Sequence, residues 1–115
     1  MHELSIAQAL AEQIEATMVA ERIERIHSVT VRIGSLAGVE RHALEMAFPI
    51  AIELAGLAPF ALVIESVPAQ VHCLDCGCEF SPQSPLFLCD NCDGENVEIV
   101  AGRELVISSM RVERS

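Results

Sequence analysis

Residues 71–92 read VHCLDCGCEFSPQSPLFLCDNC, and this stretch decides how the chain is organised. Cys73-Leu-Asp-Cys76 and Cys89-Asp-Asn-Cys92 are two C-x2-C knuckles separated by twelve residues. Knuckles that face each other supply four thiolates in the tetrahedral arrangement that Zn(II) takes. The loop between them is shorter than the commonest zinc-ribbon spacing but long enough to double back. Gly77 and Gly94 suit a tight turn after each knuckle. Four cysteines fill the coordination shell, so Cys73, Cys76, Cys89 and Cys92 are expected to hold one structural zinc. A catalytic zinc would keep an open position and need a nearby general base. Cys78 is left over as a spare thiol. His72 adjoins the first knuckle and is an alternative ligand, read by default as a surface residue. Phe80, Leu86, Phe87 and Leu88 are expected to cover the site.

The rest of the chain flanks this insert. At 115 residues it has room for one small domain and not for two ordinary ones. About half the residues are apolar, but only four are aromatic, all Phe, so aliphatic side chains must build the core. No apolar run approaches the roughly 20 residues that span a bilayer. The amino-terminal segment carries Glu3, Glu12 and Glu15 and no basic residue before Arg22, which is not the pattern of a signal peptide. A cytoplasmic location is expected. In that reducing compartment clustered cysteines read as metal ligands and not as disulfides.

Residues 5–24 predict an amphipathic helix, with Leu10, Ile14 and Met18 recurring every four residues and Ser5 and Gln8 placed for a capping box. Ser28–Ile33 alternates as a half-buried strand, Val29, Val31 and Ile33 facing one side. A second helix is expected from about Glu40 to Ala55, with Leu44, Phe48, Ala51 and Ala55 on one face. Pro49 should kink or divide it, because proline lacks the backbone donor. Ala61–Val67 and Glu104–Val112 read as two more strands. The predicted fold is α+β: a small three-stranded sheet with two helices and an inserted four-cysteine, zinc-ribbon-like module. Residues 1–68 with 103–115 form the α+β domain and 69–102 the zinc module.

Charge narrows the partners. The net charge is −10, and no Arg or Lys lies between Arg41 and Arg103. Phosphate backbones and anionic lipid repel such a surface, so neither nucleic acid nor membrane is an expected partner. Basic protein surfaces are. No Gly-rich phosphate loop and no nucleophile–base signature is present, and nothing in the sequence argues for an enzyme.

The chain opens Met1-His2-Glu3. The terminal amine, the His2 amide and the His2 imidazole can chelate one ion through fused rings, and Glu3 can add an oxygen. Nitrogen-rich square-planar coordination selects Ni(II) or Cu(II).

Taken together, the opening MHELSIAQAL, the segments VRIGSLAGVE and ALEMAFPIA, IESVPAQVHCLDC with its partner CDNC, and the closing GRELVISSMRVE resemble the HypA/HybF family of hydrogenase-maturation nickel metallochaperones. The resemblance implies a protein that delivers Ni(II) to the large subunit of NiFe hydrogenase with a partner GTPase, HypB. It implies that nickel, as cargo, binds at Met1, His2 and Glu3. Some members add a carboxylate after the first strand, and Glu40 holds that place here. Monomer and homodimer both stay open. Two other classes stand beside this one: a zinc-ribbon protein-interaction adaptor without a second metal, and a rubredoxin-like iron redox module, since C-x2-C pairs also bind iron.

Overall fold

The computed structural model describes residues 3–82 and 87–114. The order of elements is α1 (Glu3–Glu21), β1 (Ile23–Gly34), α2 (Arg41–Leu54), β2 (Ala61–Val67), β3 (Gln70–Cys73), β4 (Glu79–Phe80), β5 (Val97–Ala101) and β6 (Leu105–Arg114). They build an α+β fold with two three-stranded sheets, ordered β2-β1-β6 and β4-β3-β5.

The chain falls into two compact units. The first comprises residues 1–32, 39–65 and 106–115, and the second 33–38 and 66–105. In the first, buried Ala7, Leu10, Ala11 and Ile14 of α1 form a core with Val29 and Val31 of β1 and Leu44, Phe48, Ala51 and Ile52 of α2. Phe48 meets Phe60 edge to face, with ring centroids 5.7 Å apart. His27 pairs with Glu113 and the Ser108 hydroxyl donates to the Thr30 carbonyl, so residue numbers climb on β1 as they fall on β6 and the two strands run antiparallel. Arg32 pairs with Glu65 and the Ser35 amide with the Val67 carbonyl, so β1 and β2 climb together. A parallel pair needs a long crossover, and α2 supplies it.

The first helix departs from expectation at both ends. It is already running at Glu3, so Ser5 lies inside it and cannot cap it. It stops at Glu21, because Arg22 adopts a left-handed backbone (φ 54°) and β1 begins at the next residue. Buried Ile23 and Ile26 then precede Val29, Val31 and Ile33. Steps of three before steps of two mimic a helix, which is why residues 22–24 read as one.

The second helix is capped by Glu40, whose side chain accepts the Ala43 amide, and by Ala55. Ile52, not Ala55, completes its buried face. Pro49 does not divide it. Pro49 and Glu45, whose carbonyl would otherwise accept the missing amide, both lie on the exposed side of the helix.

In the second unit Val71, Cys73, Phe80 and Cys89 form a separate small core against Cys78, Val97 and Ile99. Buried Gly34 is docked there by backbone: its amide donates to the Glu104 carbonyl at 2.7 Å, and the Leu36 amide donates to Gly102 at 2.6 Å. A Cβ on Gly34 would collide with the Gly102 carbonyl and lie 2.6 Å from the Arg103 nitrogen, so only glycine fits this approach.

Candidate metal centre

The two knuckles fold by the same local rule. In the first, the Cys73 amide donates to the Cys78 carbonyl (2.8 Å) and the Gly77 amide to the Cys73 carbonyl (2.9 Å). In the second, the Cys89 amide donates to Gly94 (3.0 Å) and the Asp93 amide to Cys89 (2.9 Å). Each knuckle therefore closes the same pair of rings and needs one left-handed residue in the same place. That residue is Gly77 (φ 79°) in the first and Asp93 (φ 57°) in the second. Asp is among the few residues that tolerate this conformation. Gly94 is thus not the turn glycine expected. It is a point of crowding, where a Cβ would lie 3.1 Å from Asp75 Oδ2 and 3.2 Å from Cys92 Sγ.

These turns bring the Sγ atoms of Cys73, Cys76, Cys89 and Cys92 within 4.8 Å of one another. Cys73 and Cys92 are 3.7 Å apart, and Cys76 and Cys89 3.5 Å. A disulfide would need about 2.05 Å. Four sulfurs at about 2.3 Å from a tetrahedral zinc lie about 3.8 Å apart, so the spacing and the all-thiolate donor set fit such an ion. Cys73 and Cys89 are buried, while Cys76 and Cys92 face outward.

The two outward-facing thiols, Cys76 and Cys92, are electrostatically unequal. The Cys78 backbone amide, then the Asn91 side chain and Cys89, pull the Cys76 thiol down to about 6. At Cys92 a Gly94 backbone hydrogen bond favours the thiolate, but proton sharing with Cys73 and Cys89, together with desolvation, outweighs it and pushes the thiol up to about 12. Of these two, Cys76 is the one whose surroundings favour the thiolate, the form that bonds a metal.

Cys78 stands outside the cluster. Its thiol is directed to the Glu79 carbonyl at 3.7 Å, and burial raises its pKa. His72 is not gathered in either. It projects opposite Val71 and Cys73 along β3, and its Nδ1 lies 3.8 Å from Glu79 across the β3–β4 pair. Phe80 is buried under the site and Phe87 half-buried, but Leu88 is exposed, and Leu86 lies outside the described residues.

Two supporting residues, Asn96 and Asn91, carried no signal in the sequence. Asn96 accepts the Leu74 amide on its carbonyl (2.9 Å) and donates its side chain to Asp75 (3.3 Å), and the Asn91 amide lies 3.4 Å from Cys89 Sγ. Such bonds orient the ligands of a metal.

The candidate nickel residues lie in the other unit. Met1 and His2 are outside the described residues. Glu3 opens α1, and its carboxylate accepts the Glu40 amide at 3.1 Å. Glu40 in turn gives a carboxylate oxygen to the Ala43 amide as the α2 cap. The two acidic residues are therefore neighbours, and one oxygen of each already holds a backbone donor.

Comparison with known proteins agrees with this geometry. Residues 1–112 match the family model described as HypA, hydrogenase/urease nickel incorporation, metallochaperone. A hydrogenase maturation factor HypA from Chloroflexus aurantiacus is 42% identical over 111 residues, covering 96% of this chain and 97% of its own. The one from Aquifex aeolicus is 34% identical over 113 residues, with 98% of both chains covered. The solution structure of the Ni metallochaperone HypA from Helicobacter pylori superposes with a TM-score of 0.73 at 26% identity, covering all of both chains. On this full-length match the chain belongs to the HypA family of hydrogenase maturation factors and nickel-incorporation metallochaperones.

Proposed function

We propose that this protein carries Ni(II) to the large subunit of NiFe hydrogenase, working in the cytoplasm with a HypB-type GTPase and catalysing no reaction itself. The nickel is cargo, held by the Met1 amine, the His2 amide and imidazole, and Glu3, with Glu40 able to assist. Residues 1–68 with 103–115 serve as the nickel-binding domain. Residues 69–102 serve as a module held by one structural Zn(II) on Cys73, Cys76, Cys89 and Cys92. When bound, that zinc supplies folding free energy and no open coordination position.

The observation that carries the nickel reading is the contact between Glu3 and the Glu40 amide. It brings the acidic residue next to the terminal chelate beside the other carboxylate that the family resemblance singles out. A carrier must also release its ion, and an oxygen ligand that already accepts a backbone hydrogen bond has a place to return to.

Untagged protein titrated with nickel tests this. One equivalent should bind, and binding should weaken in acid because the ligands must be deprotonated. His2→Ala should abolish specific binding and leave zinc content unchanged, and residues added before Met1 should do nearly the same. Glu40→Ala should weaken nickel only a few-fold while removing a helix cap, at a cost of about 1 kcal/mol in stability. Unchanged nickel affinity in His2→Ala protein would overturn the assignment.

A further inference from the structure

α2 carries more apolar surface than its own core uses. At about 100° per residue, Leu44, Phe48, Ala51 and Ile52 occupy one side of the helix and are buried. Met46, Ile50 and Leu54 follow at steps of four along an adjoining flank and are 64%, 53% and 68% exposed. Ala43 and Ala47 fall between them on the same flank. Arg41 and Glu45 lie on the other flank, and Glu53 borders this one, about 20° of rotation from Met46. The stripe runs into a groove of about 370 Å³ formed by Gln8, Glu12 and Glu15 of α1, Ala51 and Leu54 of α2, and the cap residue Ala55.

The border of this surface is acidic. Glu12 and Glu15 wall the groove, and Glu53 adjoins Leu54. Among the described residues none of these three takes part in an ion pair, whereas Glu45 is joined to Arg41. A second copy of the chain laid face to face would set these carboxylates against each other. The same acidic rim repels an anionic membrane. An occupant that fits must be apolar along its centre and basic along its edge.

We propose that the Met46–Ile50–Leu54 stripe and the α1–α2 groove form a docking surface for an amphipathic helix of a partner protein, with Leu- or Ile-type residues on one face and Lys or Arg beside them. Helices recognised in grooves present anchors at i, i+3 or i+4, and i+7, and three anchor sites at steps of four on α2 span about 12 Å, two turns of such a helix. Met46 gives the surface an adaptable end, since an unbranched thioether repacks easily. The surface is built only from α1 and α2 and uses none of the proposed metal ligands.

The test uses the full-length, ¹⁵N-labelled protein without nickel, so it stands or falls apart from the nickel reading. The probe is a synthetic helical peptide of roughly 18 residues, long enough to hold a helix, with Leu on one face and Lys on its flanks. A control peptide carries Glu in place of every Lys. Amide shifts should be confined to residues 4–15 and 43–55, and the control should bind at least ten-fold more weakly. Ile50→Asp should weaken the Lys peptide ten-fold or more, with an unchanged circular dichroism spectrum. Should Ile50→Asp misfold, the Met46→Gln/Leu54→Gln double variant must show the same loss. Glu12→Gln/Glu15→Gln should weaken binding a few-fold and flatten its salt dependence. Equal binding of both peptides, shifts that map elsewhere, or full affinity in the stripe variants would overturn the proposal. So would concentration-dependent dimerisation that Ile50→Asp abolishes, which would make a second copy the occupant.

Discussion

Replacing Gly34 by Ala should be among the most damaging single-methyl additions available to this chain. The added Cβ would lie 2.6 Å from the Arg103 nitrogen and closer still to the Gly102 carbonyl, where carbon contacts need about 3.5 Å. Both partners are backbone, so no rotamer change relieves the clash, and the strands must separate by about 1 Å. That movement carries the Gly34–Glu104 and Leu36–Gly102 hydrogen bonds, now 2.7 and 2.6 Å, beyond bonding range. A broken bond with a buried partner left unpaired costs about 1–3 kcal/mol. Against this, alanine restricts the unfolded chain and returns about 0.4–1 kcal/mol. The net loss should be about 2–4 kcal/mol. Hydrogen exchange at the Leu36 amide reads it locally, and at 1.4 kcal/mol per decade protection should fall roughly 30- to 700-fold. Gly38→Ala is the control. Gly38 has open space around it but a φ of 75°, so only the left-handed backbone is penalised, by about 1–2 kcal/mol. If Gly34→Ala loses less than 0.5 kcal/mol, or no more than Gly38→Ala, the close approach does not hold Gly34 in place.

Three further outcomes are expected. Replacing any of Cys73, Cys76, Cys89 or Cys92 by Ala should remove the bound metal and unfold residues 73–92, whereas Cys78→Ser should retain it; metal analysis of the purified variants decides, and a metal-free Cys78→Ser protein would contradict the geometry. Stripping the metal with a chelator should unfold residues 73–92, so that iodoacetamide labels Cys73 and Cys89, buried in the folded module, as fast as Cys76 and Cys92. Continued protection of Cys73 and Cys89 in stripped protein, read by mass spectrometry, would refute metal-dependent folding of the module. Phe48→Ala should cost about 3–5 kcal/mol in urea unfolding, because it empties the centre of the α1–α2 core and removes the Phe60 ring contact; a loss under 1.5 kcal/mol would mean the core collapses around it.

How much of this was legible in the sequence depended on the range of the interactions. The knuckle cysteines were readable because a metal site of this kind is specified by spacing along the chain. The β2 strand and the body of α2 were readable because burial there follows a single period. The end of α1 was not. Arg22 reverses the backbone without glycine or proline to announce it, and Ile23 and Ile26 continue a helical rhythm inside a strand. Strands β3 and β4 were absorbed into the cysteine insert, since four- and two-residue strands are too short to show alternation, and the five-residue β5 that pairs with β3 was absorbed with them. The roles of Asp93 and Gly94 were exchanged for the same reason in reverse: glycine advertises a turn, but the turn fell one residue earlier and glycine was needed for room. Glu40 was noticed as a carboxylate after the first strand, while its work as the α2 cap depends on the path of the loop before it.

The single residue between α1 and β1 has a mechanical consequence. Helix α1 has 19 residues, a rod about 28 Å long, joined to β1 through Arg22 alone. With no loop to take up slack, and with Ala7, Leu10, Ala11 and Ile14 seated in the core, the helix carries position from one end to the other. A change of about 10° in its direction at Arg22 would displace the Glu3 end by about 5 Å, more than the length of a hydrogen bond. The Glu3–Glu40 contact is therefore set by how the whole buried face of the helix is seated, and not by the terminal residues alone.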